Sequence, residues 1–372
     1  MDRHLSDRLT NLGGIMPIYK NPEKNVRKTL SRCYVTSKAG GIIPPAVIDV
    51  HPVSGQCNLQ CTWCIGKKDR ETIEPLPNIL RSEVLVSTLN KILSPYWKHL
   101  WTSRFHICGN DSEPLLAGKD LIPAIRFLLQ RHRIVKLITN GLQLDNQELV
   151  KLISRISELS ISLDVTNDND YEEYKGFKGG YSKIIENIET INEYRMMYGS
   201  SLHILVTFVA TPKTYDKQNW KECFEYLKNI GVNEIKTRND LNRTYGLVEH
   251  LKSDIEQINS EVEGIDILYN APDKPYSNYD FNYCLASRIW PTLGADGCLY
   301  PCAHTANSKY EPFADLTSSN SIMEAYRECF SHPKNSFSKI SEIGCQRQCP
   351  PTIGSFNYPE DAKRNLCTEY FF

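Results

Sequence analysis

The sequence predicts an α/β chain: a partial, TIM-like (β/α)6 barrel followed by a small, metal-stapled C-terminal domain. Three observations carry that expectation. Over residues 46–240, six short β-rich runs alternate with amphipathic stretches, which is the pattern of βα units around a parallel sheet. Several of those runs are continuously apolar, as strands of a sheet buried on both faces would be. After residue 282 the composition changes, and the remaining residues hold seven of the 13 cysteines together with many Pro and Gly.

Taken in order, residues 1–45 form an N-terminal extension with a basic run (Lys20, Lys24, Arg27, Lys28, Arg32) that reads as a solvated helix face. The expected strands are 46–53, 104–108, 134–140, 158–164, 202–210 and 234–239. Between them, 121–131, 147–156, 182–194 and 220–230 carry apolar residues at three- and four-residue spacing, the mark of helices with one buried stripe. Gly141 and Gly231 stand where a tight turn or helix cap is needed. Residues 241–282, polar and containing Pro272 and Pro275, read as a connector. Residues 283–372 form the second domain, with helical periodicity only over 321–329.

Composition excludes several classes. The 372 residues are 41% hydrophobic with a net charge of −1, a globular profile with a large core and without the basic excess of a nucleic-acid binder. No apolar run has the length of a signal peptide or a membrane span, so the expected compartment is the cytoplasm and no membrane partner is expected. In that reducing setting the cysteines point to metal or redox chemistry, not disulfides. His51, His106, His203 and His304 show no paired metal spacing and read as structural.

The run Cys57-Asn-Leu-Gln-Cys61-Thr-Trp-Cys64 places three thiols on one short loop directly after the first strand. Chemistry in βα folds collects at the C-terminal ends of the strands, which is where this loop falls. A 4Fe-4S cube takes cysteine thiolates and has four irons, so three ligands leave one iron open for a reactant. A structural zinc site is the alternative, though zinc loops favour a close cysteine pair with a second pair far along the chain.

Cys57–Cys64, with Trp63 before the last cysteine, resembles the signature loop of the radical S-adenosylmethionine (SAM) superfamily. The resemblance continues through some 190 residues of βα units. It implies a 4Fe-4S cluster on Cys57, Cys61 and Cys64, with SAM on the open iron, cleaved reductively to a 5'-deoxyadenosyl radical that abstracts a substrate hydrogen. Gly109-Asn-Asp-Ser-Glu113-Pro resembles the family's GGEP segment, with Asp111 and Ser112 in place of two glycines, and implies that Glu113 receives the SAM amino group. Thr139-Asn140-Gly141 resembles a common TNG turn, and Ser162 stands where a serine reaches the methionine or ribose. Tyr174-Lys175-Gly176-Phe-Lys178 is similar to a segment that usually carries an arginine for the SAM carboxylate. Lys175 or Lys178 would serve there as a point charge without a bidentate fork.

The C-terminal cysteines resemble the SPASM and Twitch extensions. Cys284, then Gly297-Cys-Leu-Tyr-Pro-Cys302, then Cys345-Gln-Arg-Gln-Cys349 and Cys367 follow that pattern, without the Cys-x2-Cys pair that a second auxiliary cluster would use. The resemblance implies one auxiliary 4Fe-4S cluster on Cys284, Cys302 and Cys349, with Cys345 or Cys367 as fourth ligand; a zinc ribbon is the alternative. Cys108 and Cys298 are candidate hydrogen-atom donors to a substrate radical, against ordinary packing roles.

The implied activity is modification of a ribosomally made peptide, by epimerisation or crosslinking, in natural-product biosynthesis. The alternatives are an epimerase or dehydrogenase acting on a sugar, cyclitol or aminoglycoside-type metabolite, and, from another class, a non-catalytic iron-sulfur or zinc-binding module. Implied partners are the peptide or small-molecule substrate, an electron donor such as flavodoxin or ferredoxin, and a separate leader-peptide-binding protein, since 45 residues before the first strand are too few for a fused leader-binding domain.

Overall fold

A computed structural model describes residues 44–45, 47–93, 102, 104–240, 242, 244–269, 290–319 and 321–330. Ten strands form one sheet in the order β10-β9-β8-β1-β2-β3-β4-β5-β6-β7. β1 (Val47–Val50), β2 (Arg104–Ile107), β3 (Ile134–Thr139), β4 (Glu158–Ser162), β5 (His203–Ala210) and β6 (Glu234–Asn239) are the six expected strands, parallel and in sequence order. The helices that follow them are α1 (Lys67–Thr72), α2 (Ser82–Ile92), α3 (Leu121–Gln130), α4 (Gln147–Ile153), α5 (Asp168–Lys175), α6 (Gly180–Met197) and α7 (Lys217–Asn229). Local chemistry sets several of their starts. Asn146, Asn167 and Asp216 each accept a backbone N–H of the first turn, so α4, α5 and α7 begin on capped ends.

The stretch expected to be a connector instead continues the barrel. α8 (Leu251–Glu261) buries Leu251, Ile255 and Ile258, and β7 (Asp266–Tyr269) pairs in parallel with β6 as a seventh strand. Its four-residue apolar spacing is diluted by Lys252, Ser253, Asp254 and Glu256, which conceals the amphipathic stripe.

Several strands are buried on both faces, as expected, but the two faces differ in character. Val135, Leu137, Leu159, Ile161, Ile204, Val206 and Phe208 join the core under the helices. The alternate positions mix buried apolar residues (Val47, Ile134, Leu205 and Val209) with charges, Lys136 against Glu158, and Glu234 against both His203 (2.9 Å) and Lys236 (2.9 Å). Period-2 alternation sends these charges to the concave side, where they are satisfied by neighbours on the same or the adjacent strand.

Beyond residue 290 the chain docks on the free edge of β1. β8 (Thr292–Leu293) pairs with β1 in parallel, and β9 (Cys298–Tyr300) and β10 (Ala314–Asp315) add antiparallel strands. Lys91 Nζ on α2 donates to the carbonyls of Leu316 (2.7 Å) and Thr317 (3.0 Å), and α9 (Ile322–Phe330) packs on α2 and β10. Cys33, Cys284, Cys345, Cys349 and Cys367 lie outside the described residues. Among the described residues no helix is long and apolar enough to cross a membrane.

Candidate metal and cofactor site

β1 ends at Val50, and the chain turns through the cysteine loop at the C-terminal edge of the sheet. Leu59 and Trp63 are buried in the core, which leaves the thiols of Cys57, Cys61 and Cys64 half-buried on the other side of the loop. Two backbone bonds hold its middle to the end of α5, Gln60 N–H to the Lys175 carbonyl and Thr62 N–H to the Tyr174 carbonyl, each at 3.0 Å. The three sulfurs feel one another electrostatically. Burial pushes the Cys61 thiol up to about 12 and also raises Cys57, where the Leu59 N–H bond to sulfur works in the opposite direction. Arg70 Nη1 lies 3.9 Å from the Cys64 sulfur. Metal binding here must displace protons from buried thiols, and the Leu59 amide and Arg70 are placed to favour the thiolates once it has.

This donor set fits a cube. Cys57, Cys61 and Cys64 present three thiols from one loop, and a 4Fe-4S cube binds each cysteine thiolate on a different iron.

The loop after β2 is stitched to the cysteine loop by the two residues that stand for glycines. Asp111 Oδ2 accepts the Gly55 N–H (2.9 Å), and Ser112 Oγ donates to the Val53 carbonyl (2.6 Å). Gln56 O accepts the Glu113 N–H (2.8 Å), and Arg70 Nη1 donates to the Asp111 carbonyl (3.2 Å). The approach is close enough that a Cβ on Gly66 would fall 2.0 Å from the Asn110 carbonyl oxygen.

Glu113 is 3% exposed, and its carboxylate gathers three donors: Leu115 N–H (3.0 Å), Thr139 O–H and Asn140 N–H (2.8 Å). Burial raises its pKa while these bonds lower it. A carboxylate has about four acceptor sites, so one remains on Oε2. Asn140 Nδ2 in turn donates to Asn58 Oδ1 (2.7 Å), inside the cysteine loop. Glu113, Asn140 and the cysteine loop are thus one hydrogen-bonded unit.

At the end of β4, Ser162 is half-buried beside Thr207, and Asp164 turns left-handed at φ 66°. Lys175 is fully buried, and its three N–H groups go to Ser162 O (2.7 Å), Leu163 O (3.1 Å) and Asp164 Oδ2 (2.8 Å). Every donor of Lys175 is spent inside the protein, so the expectation that it receives a SAM carboxylate is replaced by a role in pinning the β4 turn to α5. Lys178 is exposed.

Cys108 is buried and faces the same side of β2 as His106, its thiol pushed well up by burial. Cys298 is half-buried in the hairpin beyond β8, pushed up to about 12 by burial and by Asp296 and Asp315. Cys302 lies at the start of the turn after β9, its sulfur 3.8 Å from Thr305 Oγ1. Sequence reasoning missed Asp49, whose Oδ1 accepts both His106 Nδ1–H (3.1 Å) and Trp290 Nε1–H (2.7 Å) across two segments far apart in the chain.

Residues 52–209 match the family model of the Radical SAM superfamily. The chain carries a radical SAM domain. The sporulation killing factor maturation protein SkfB of Bacillus subtilis (strain 168) is 22% identical to it over 142 residues, 38% of this chain and 32% of the relative. The cysteine-type anaerobic sulfatase-maturating enzyme of Clostridium perfringens (strain 13 / Type A) is 30% identical over 104 residues, 27% of this chain and 26% of the relative. The matched segment therefore spans about a third or less of these curated relatives. Two solved structures share the fold beyond the radical SAM domain. Streptococcus suis SuiB bound to precursor peptide SuiA aligns at TM-score 0.55 and 14% identity, over 82% of this chain and 71% of that one. Native anSMEcpe with bound AdoMet aligns at TM-score 0.52 and 19% identity, over 88% of this chain and 97% of that one.

Proposed function

We propose that this chain is a radical SAM enzyme that modifies peptides. The observation that carries the first part is the loop of Cys57, Cys61 and Cys64, three thiols on one segment that is tied to Glu113 because Asn140 donates from Nδ2 to Asn58 Oδ1 and from its backbone N–H to the Glu113 carboxylate. When bound, a 4Fe-4S cluster with SAM supplies the electron for SAM cleavage and the 5'-deoxyadenosyl radical that removes a substrate hydrogen.

The chain's own residues shape and shield that site. Cys57, Cys61 and Cys64 would hold the cluster, and the last acceptor site of Glu113 suits an ammonium group. Leu59 and Trp63 fix the loop in the core, so the thiols are presented by a rigid base. The half-buried Ser162 and Thr207 offer hydroxyls beside the cleft.

A peptide substrate is favoured because SuiB is solved with a precursor peptide and SkfB is named as a maturation protein. Epimerisation or crosslinking is the reaction class we propose, in the cytoplasm, with a flavodoxin- or ferredoxin-type donor and a separate leader-binding protein. An auxiliary cluster on Cys302 with Cys284, Cys349 and either Cys345 or Cys367 completes the proposal. Anaerobic, reduced protein should form 5'-deoxyadenosine from SAM, and Cys57→Ala should abolish it. Persistence of that product in the variant would refute the site.

A further inference from the structure

On and beside the polar face of the sheet several charges are paired among the described residues. Lys136 pairs with Glu158, Lys236 with Glu234 and Lys175 with Asp164. The side chain of Arg238, on the same face as Glu234 and Lys236 at the C-terminal end of β6, makes no hydrogen bond or ion pair with any described residue. Two carboxylates are near it, and both are engaged elsewhere. Asp164 accepts from Lys175 Nζ (2.8 Å) and Val209 N–H (3.0 Å), while Asp240 accepts from Asn242 N–H (2.9 Å) and Thr244 N–H (2.7 Å). The guanidinium is half-buried and surrounded by protein, which lowers its pKa by desolvation. Its guanidinium nitrogens are open to solvent and have no protein acceptor among the described residues, so the acceptors of a ligand can replace water there.

Its place connects it to the reactive centre. The loop that follows Arg238 folds back on the cysteine loop, where Asn242 Nδ2 donates to the Trp63 carbonyl (3.3 Å). Asp164 is near enough to Arg238 and to Cys61 to act on both electrostatically. β6 is two strands beyond β4, on the side of the cleft opposite Glu113 and Asn140.

We propose that Arg238 is the anchor for a carboxylate of the substrate, a specificity-determining residue of the same cleft; this rests on the reading of that cleft as a radical SAM site. The planar fork matches a carboxylate bidentately. A monoanion suits the place better than a phosphate, because Asp164 and Asp240 would repel a dianion. An acidic side chain or a C-terminus of a peptide has this chemistry.

The test is calorimetric titration of N-acetylglycine, a monocarboxylate, with N-acetylglycinamide as control, into cluster-loaded protein with and without SAM. Wild type should bind the acid and not the amide in both states. Arg238→Lys, which keeps the charge and loses the fork, should weaken binding about tenfold, and Arg238→Gln should abolish it, with circular dichroism showing both variants folded. Equal binding by Arg238→Gln, or no binding of the acid by wild type, would overturn the proposal. Binding that SAM abolishes and decarboxylated SAM does not would also overturn it, because the guanidinium would then hold the carboxylate of SAM. SAM titrated alone into the cluster-loaded protein reports separately on the radical SAM reading, since its failure to bind leaves the SAM-free Arg238 result intact.

Discussion

Replacing Lys175 with Met removes a buried cation of similar length and separates two readings of that residue. As a pin, the fully buried Lys175 compensates Asp164 and satisfies the carbonyls of Ser162 and Leu163. Removing one partner leaves Asp164, 4% exposed, as an uncompensated buried charge. Breaking such a pair costs about 3–5 kcal/mol. With a urea slope of ~3 kcal/mol/M, the unfolding midpoint falls by on the order of 1–2 M. Adding Asp164→Asn to Lys175→Met should recover part of the loss, because the amide oxygen can still accept the Val209 N–H and the charge is gone. Urea denaturation followed by circular dichroism on the metal-free proteins reads this directly. A midpoint unchanged in Lys175→Met, with SAM affinity alone reduced, would refute the pin and restore Lys175 as a cofactor ligand.

Three further outcomes are expected. Gly66→Ala places a Cβ against the Asn110 carbonyl and pushes the two loops apart, so iron retained after reconstitution should fall well below wild type; full retention would contradict the close packing. Asn167→Ala removes the cap of α5 and should cost about 0.5–2 kcal/mol in denaturation. Burial lowers the His106 pKa, Lys136 on β3 and Arg104 on its own strand act in the same direction, and Asp49 on β1 opposes them. Its folded pKa lies below the unfolded 6.5, so its contribution is full above that value and is lost as pH falls below it. Replacing His106 with Gln should flatten stability against pH in that range, and an unaltered slope would refute the assignment.

The sheet was legible because strands such as 134–139 and 203–210 are rich in β-branched residues and bounded by turn residues, and the cysteine spacing singled out the loop that follows β1. α8 and β7 were hidden by polar residues on their outer faces. The site's supporting bonds were not legible at all. Asp49 meets Trp290 across 241 residues, and the Glu113, Asn140 and Asn58 network joins three loops whose proximity only the assembled sheet creates. Lys175 and Arg238 show the same limit in opposite senses. A lysine in a motif-like segment turned out to be fully paired, while an arginine with no motif was left without an acceptor, because pairing depends on which strands become neighbours.

The most direct test is the iron and acid-labile sulfide content of anaerobically reconstituted protein, wild type beside the Cys57/Cys61/Cys64 triple alanine variant. The expected result is about eight irons in the wild type and about four in the variant, with 5'-deoxyadenosine formation lost. Zinc in place of iron, or an iron content unaltered by the triple substitution, would contradict a cluster on this loop.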